Sequence, residues 1–320
     1  MAVYTEVSDE ELLAFVRQYE IGEVIACKGI AEGVENSNFL LQTDRGLFIL
    51  TIYEKRVAAA DLPYFLGLLD HLAAREVPCP TPVHGRDGAA LRSLADKPAA
   101  IVTFLRGVWP RRPLPQHCAE VGAALAAMHL AGGDFAMHRG NNLGLQGWGP
   151  LVEATAARAD EVAEGLAEEV AREYEALRRD WPTALPDGVI HADLFPDNVF
   201  FLANRLSGLI DFYFACNDAL VYDLAICLNA WCFESDAEFS ITKARRLITG
   251  YRSVREISRE EVEALPRLIR GAALRFLLTR LYDWLHQVDG ALVKPKDPLE
   301  YLAKLRFHRQ VASPGAYGLD

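Results

Sequence analysis

His191-Ala192-Asp193-Leu194-Phe195-Pro196-Asp197-Asn198 puts a carboxylate and a carboxamide on one tight loop, and Gly208-Leu209-Ile210-Asp211-Phe212 brings a second carboxylate at the end of a following strand. Oxygen donors in this order suit phosphoryl transfer assisted by magnesium. One carboxylate, Asp193, would accept or orient the hydroxyl of an acceptor. The amide oxygen of Asn198 and the carboxylate of Asp211 would hold Mg²⁺ against the phosphates of ATP. Mg²⁺ takes few protein oxygens and keeps some of its waters, so this short ligand list is enough. These residue types also form turns. What points to chemistry is that His-x-Asp-x-x-x-x-Asn and a strand-end Asp-Phe occur in sequence. His191, between apolar residues and a turn, reads as structural support for the loop.

Elements that could position this loop follow from local patterns. Ser8-Asp9-Glu10-Glu11 is a capping box that opens a short helix with Leu12, Leu13, Phe15, Val16 and Tyr19. Strands are expected over Glu23–Lys28, Asn38–Gln42 and Leu47–Tyr53, the last two joined by the turn Thr43-Asp44-Arg45-Gly46. A helix is expected from about Ala58 to Arg75, then an extended stretch forced by Pro78, Pro80 and Pro82. A hairpin-like segment from Val83 to Leu94 leads to a strand over Ala99–Leu105. Beyond Pro115 helical periodicity dominates, including a charged, Ala-rich helix from about Leu151 to Trp181 and one opened by a second capping box at Ser258 and Glu261. The expected fold class is therefore α+β. A small lobe of antiparallel sheet and helix (residues 1–104) is joined by a short hinge to a larger, mainly helical lobe (residues 105–320), and a cleft between lobes is a common ligand site.

The 320 residues are 51% hydrophobic and 24% charged, enough apolar material for a sizeable core in two lobes. The net charge of -11 disfavours nucleic acid and anionic membranes as partners. The acidic start lacks a secretory pattern, and no run approaches the roughly 18 apolar residues of a membrane helix. The six cysteines are scattered in apolar contexts with no Cys-x-x-Cys pair, which suits free thiols in the cytoplasm rather than a disulfide or zinc frame.

With Asp193, Asn198 and Asp211 in this order, the chain resembles the protein-kinase-like fold of small-molecule kinases, the aminoglycoside phosphotransferase and choline kinase superfamily, over nearly its whole length. The resemblance implies ATP and Mg²⁺ as cofactors, Asp193 as catalytic base, and Asn198 and Asp211 as metal ligands. It implies that the connection from Gly29 to Asn38 covers the phosphates, with Gly29 and Gly33 allowing close backbone approach and Asn36, Ser37 and Asn38 offering donors. It implies a hinge strand at Thr103, Phe104 and Leu105 whose backbone reads adenine, and an Asp-Leu-Ala at Asp223 that caps a helix and anchors the loop. One position departs: where such kinases carry Lys or Arg on the third strand, this chain has Thr51. Either Lys28, Lys55 or Arg56 supplies the charge, or backbone donors and magnesium suffice.

Several stretches are similar to the bacterial homoserine kinase branch: Tyr4 to Ser8, Gly33 to Asn38, Arg139 to Leu145, Asp211 to Trp231 and Ala291 to Pro298. This resemblance implies L-homoserine as the small-molecule acceptor. Arg139 or Arg280 would take its carboxylate, Asp218 its ammonium, and Trp231 would wall the pocket. Related acceptors such as choline or an aminoglycoside, and a catalytically silent nucleotide-binding scaffold, are the alternatives. Oligomeric state is open.

Overall fold

A computed structural model describes residues 5–30, 36–54, 57–234, 238–287, 295–311 and 313–319. Gly33, Lys55 and Arg56, and the stretch from Ala291 to Lys294, lie outside the described residues. The chain divides into two compact units, residues 1–107 with 207–213, and residues 108–206 with 214–320.

The first unit is an antiparallel sheet with helices. Helix α1 (Asp9–Val16) opens on the expected capping box: Glu11 N–H donates to Ser8 Oγ at 3.3 Å and Ser8 N–H to Glu11 Oε2 at 3.0 Å. Strands β1 (Val24–Gly29), β2 (Asn36–Thr43) and β3 (Gly46–Tyr53) follow, and the expected turn joins β2 to β3 with Thr43 opposite Gly46. Helix α2 (Leu62–Ala73) precedes β4 (Arg92–Leu94) and β5 (Lys97–Thr103). The strand order is β1-β2-β3-β5-β4. The last strand runs two residues earlier than the pattern suggested. Ala95 and Asp96 both adopt left-handed φ, making a tight hairpin that starts β5 at Lys97 and leaves Phe104 and Leu105 beyond its end. Leu12, Phe15, Val16, Tyr19 and Ile21 pack with Leu41, Leu50, Ile52, Leu94, Ala99 and Ile101 into one core. Each fully buried large side chain there contributes about 1.5–3 kcal/mol.

The second unit is mainly helical. Helices α3 (Pro115–Ala131), α4 (Leu145–Thr155) and α5 (Leu166–Asp180) lead to β6 (Asp187–Ile190) and β7 (Val199–Leu202). The single charged helix expected from Leu151 to Trp181 is two helices. Helix α4 ends at Thr155, and α5 begins only after Gly165, which takes φ +75° at its N-cap, with Asp160 Oδ1 accepting Ala167 N–H at 2.9 Å. After β7 the chain turns at Ala203 and Asn204, both left-handed, into β8 (Arg205–Leu209). Within β8 it passes into the first unit, and it returns after Tyr213 to β9 (Cys216–Ala219). β9 pairs antiparallel with β6, Ile190 opposite Cys216. Helices α6 (Leu220–Trp231), α7 (Ile241–Arg252), α8 (Arg259–Leu285) and α9 (Pro298–Gln310) complete the unit, α8 opening on the second capping box. α6 is buried along nearly its whole length and forms the centre of this core.

Candidate active site

The loop from His191 to Asn198 leaves β6 and enters β7 in the second unit. Its path turns sharply because Ala192 sits at φ +62°. A non-glycine residue there costs about 1–2 kcal/mol, so surrounding bonds must hold it. Asp223, fully buried in the first turn of α6, does so from one side: its Oδ2 accepts His191 N–H at 2.6 Å and its Oδ1 accepts Ala192 N–H at 2.9 Å. Arg275 on α8 donates to Ala192 O from the other. One peptide segment is thus pinned by an anion on its N–H groups and a cation on its carbonyl.

Behind Asp223 stands His129 of α3, its Nε2 3.1 Å from Asp223 Oδ2 and its Nδ1 2.7 Å from Tyr251 Oη on α7. Burial alone would raise the Asp223 pKa, but His129 and the His191 N–H outweigh it and hold the carboxyl below its ordinary value. His191 Nδ1 accepts Asp193 N–H at 3.3 Å. The indole N–H of Trp231 donates to Leu194 O at 2.7 Å. Trp231 is fully buried, so it is a pillar under the loop, not a wall with an open face.

Asp193 is half-buried, and Asn198 closes the loop on it: Nδ2 donates to Asp193 O at 2.8 Å and lies 3.3 Å from Asp193 Oδ2. The amide nitrogen being so engaged, Asn198 Oδ1 is left as a hard oxygen with no hydrogen bond among the described residues. Asp211 belongs to the first unit, just after β8, at φ +66°. Two residues on, the Tyr213 ring packs edge-on to Tyr53 (centroids 5.6 Å) and Phe65 (5.8 Å). Burial, with Tyr53 beside it, pushes the pKa of its hydroxyl well up. Tyr213 therefore roots the Asp211 segment in the sheet, a role the sequence pattern did not reveal.

In the first unit, Gly29 ends β1 and is exposed. Asn36 and Ser37 begin β2 with buried side chains that bond inward: Asn36 Oδ1 accepts Glu54 N–H at 3.2 Å, and Ser37 Oγ donates to Glu54 Oε1 at 2.8 Å. Lys97 and Thr5 join the same network, Lys97 pairing with Glu54. Asn38 Oδ1 accepts the Thr51 hydroxyl at 2.8 Å. Thr51 is thus a strand-pairing residue, and Lys28 is exposed on β1. Thr103 exchanges bonds with Thr81 (Thr103 N–H to Thr81 O and Thr81 N–H to Thr103 Oγ1, both 2.9 Å), while Phe104 is exposed and Leu105 half-buried.

Among the expected acceptor contacts, the structure joins Arg139 to the Asp218 segment. Arg139 N–H donates to Asn217 Oδ1 at 3.0 Å, Arg139 Nη1 to Ala215 O at 3.2 Å, and Asp218 Oδ2 accepts Asn141 Nδ2 at 2.7 Å. Arg280 is buried with its charge already met by Glu300 and by Asp297 O at 3.1 Å. Arg275, missed in the sequence, lies in the apolar run Ala272-Ala273-Leu274-Arg275-Phe276-Leu277-Leu278, and a charge inside such a run is the signal that could have found it. Among the described residues no three His, Cys, Asp or Glu side chains are grouped to hold a metal ion.

The model of the phosphotransferase enzyme family matches residues 26–257. Curated homoserine kinases are similar over the full length of both chains: that of Rhodospirillum rubrum is 65% identical and that of Paramagnetospirillum magneticum 61%. Among solved structures, an amicoumacin kinase in complex with AMP-PNP, Ca²⁺ and amicoumacin aligns over 95% of this chain and 92% of its own, with TM-score 0.68 and 15% identity. A spectinomycin phosphotransferase in complex with ADP and spectinomycin aligns over 98% of both chains, with TM-score 0.68 and 11% identity. At those identities the likeness is one of fold: an antiparallel-sheet N-terminal lobe and a helical C-terminal lobe of the protein-kinase-like kind.

Proposed function

The chain belongs to the phosphotransferase enzyme family, and we propose that it transfers the γ-phosphoryl group of ATP to the hydroxyl of L-homoserine, giving O-phospho-L-homoserine for threonine biosynthesis. The observation that carries this reading is identity above 60% to curated homoserine kinases across the entire chain. The built loop around Asp193 supplies the chemistry such a reaction needs.

Asp193 orients the acceptor hydroxyl and takes its proton as the new P–O bond forms and the bond to the leaving ADP breaks. Its backbone cannot drift, because Asp223 and Arg275 fix the preceding peptides and Trp231 fixes the following carbonyl. Asn198 Oδ1 and the Asp211 carboxylate are hard oxygen donors that fit Mg²⁺, which needs few protein ligands when phosphates supply others. Mg²⁺ would neutralise charge on the phosphates. The nucleotide lies against the first unit, with Gly29 close to its phosphates and Thr103, Phe104 and Leu105 at its base. The side chains of Asn36, Ser37 and Asn38 being committed within the sheet, their contribution is through backbone.

The five buried thiols and the half-buried Cys27, all unpaired, suit the cytoplasm, and no helix among the described residues is long and apolar enough to cross a membrane. The test is ADP formation with L-homoserine, choline, L-serine and an aminoglycoside at equal concentration. Preference for homoserine is expected. Preference for another acceptor would reject the substrate and leave a kinase, and no ADP with any of them would favour a silent scaffold.

A further inference from the structure

Arg275 is 2% exposed, yet among the described residues no carboxylate lies within ion-pairing distance of it. Other buried or part-buried arginines of the unit are matched: Arg280 with Glu300, Arg255 with Glu261, and Arg270 with Glu173. Arg275 Nη1 donates to Ala192 O, and its guanidinium lies 4.3 Å from the Phe276 ring and 5.8 Å from the Phe214 ring. Its Nε is buried with no hydrogen bond. With Nη1 on Ala192, the remaining edge of the fork is the one carrying Nε and Nη2, the pair of parallel donors that matches two carboxylate oxygens.

Two further buried donors without partners stand nearby, Tyr222 Oη and Tyr301 Oη. The Tyr301 ring is 5.2 Å from Phe276, next to Arg275, and 6.4 Å from Phe195 on the Asp193 loop. Tyr222 precedes Asp223 on α6. Burial raises the pKa of both phenols; Arg275 opposes the rise in Tyr222 while Asp218 and Asp223 add to it, and in Tyr301 Arg280 and then Arg275 oppose it while Glu300 and Asp193 add to it. Each buried polar group without a partner costs about 1–3 kcal/mol, and native proteins keep few of them. Arg275 Nε and these two hydroxyls, beside the Asp193 loop, are three buried donors without an acceptor, a set that an incoming anion would satisfy.

We propose that Arg275, with the hydroxyls of Tyr222 and Tyr301, receives the carboxylate of the acceptor amino acid. This rests on the homoserine reading above and moves the carboxylate contact away from Arg139 and Arg280, whose donors are engaged within the protein. It also sets the register of the reaction, since the group that holds the acceptor is bonded to the residue preceding Asp193.

The test compares L-homoserine with 3-aminopropanol, the same amino alcohol lacking the carboxylate. In the wild type kcat/KM favours homoserine. Arg275→Met is expected to shrink that ratio on the order of 100-fold, because only one of the two substrates loses a buried charge-assisted contact. Arg275→Lys should recover part of it. Tyr301→Phe should raise the KM for homoserine roughly tenfold without lowering the thermal midpoint, since its hydroxyl has no partner to lose; this variant carries the test if Arg275→Met does not fold. Equal losses on both acceptors in the Arg275 variants, or an unchanged KM in Tyr301→Phe, would overturn the site while homoserine remains the substrate. A wild type that ignores homoserine would overturn the acceptor assignment itself, and this site with it.

Discussion

Asp223 accepts the backbone N–H of His191 at 2.6 Å, reaching from the start of α6 to the root of the Asp193 loop. The same carboxylate takes the Ala192 N–H, so an amide in its place would satisfy one backbone donor and turn its NH₂ on the other. Asp223→Asn should cost about 3 kcal/mol and lower kcat more than it raises the KM for ATP. Because the folded pKa is held below 3.8, this contribution is complete above that pH and lost as pH falls through the depressed value. Urea midpoints against pH should show that acid step in the wild type and not in the variant.

Asp193→Asn keeps the shape of the loop and removes the proton acceptor. Turnover should fall by about 10²–10⁴, while nucleotide affinity stays within a few-fold. ADP release and calorimetric titration of ATP analogue measure the two separately. Wild-type turnover in the variant would remove Asp193 from the chemistry.

Tyr213 gives Asp211 its footing. Tyr213→Ala deletes the contacts with Tyr53 and Phe65 and should cost about 3 kcal/mol, with weakened Mg²⁺-linked ATP binding as the left-handed Asp211 loses its anchor. Tyr213→Phe keeps the ring contacts and should cost no more than about 1 kcal/mol. Unaltered Mg²⁺–ATP affinity in both variants would show that Asp211 is placed by other means.

Whatever is encoded locally was legible. The capping boxes at Ser8 and Ser258, the turn at Asp44-Arg45, the two-lobed α+β plan and the Asp193–Asn198 loop all follow from neighbours in sequence. What was not legible depends on partners far along the chain. Arg275 and Arg280 share one helix and one residue type. Only the packing of α9 gives Arg280 the carboxylate of Glu300 and leaves Arg275 without one. The hairpin at Ala95-Asp96 carries no glycine or asparagine to announce it. Ser37 looked like a loop donor because β2 was expected to begin at Asn38; starting at Asn36, the strand turns Ser37 inward to Glu54.

His308 on α9 is buried between Tyr317 Oη and Asn229 Oδ1, each 3.0 Å from a ring nitrogen. Burial, with Lys304 adding its charge, drives its pKa down from 6.5 to about 3. The unfolded chain therefore binds a proton that the folded one refuses between those values. The stability is fully present above pH 6.5 and declines toward pH 3, by at most about 1.4 kcal/mol per pH unit. His308→Gln should flatten that slope in urea unfolding measured between pH 6.5 and 4.5; a slope unchanged by the substitution would assign it to other groups.

Helices α3 and α7 meet backbone to backbone through reciprocal glycines. A Cβ at Gly122 would stand 2.0 Å from Leu247 O and 2.8 Å from Tyr251 N, and one at Gly250 would stand 2.0 Å from Ala119 O. Those carbonyls belong to helix ladders and cannot swing away, so Gly122→Ala must push the helices apart. Two effects then compete. Alanine improves helix propensity by about 1 kcal/mol, while overpacking against rigid backbone costs about 3 kcal/mol. The clash should win, with a net loss near 2 kcal/mol in urea unfolding. The displacement also has a functional reading, because α3 carries His129 and α7 carries Tyr251, whose 2.7 Å bond backs the carboxylate of Asp223. Gly122→Ala should therefore lower kcat as well as stability, although neither helix carries a residue that touches substrate. A variant that is stabilised, or one destabilised with kcat intact, would show that the helices can part without moving the loop that Asp223 holds.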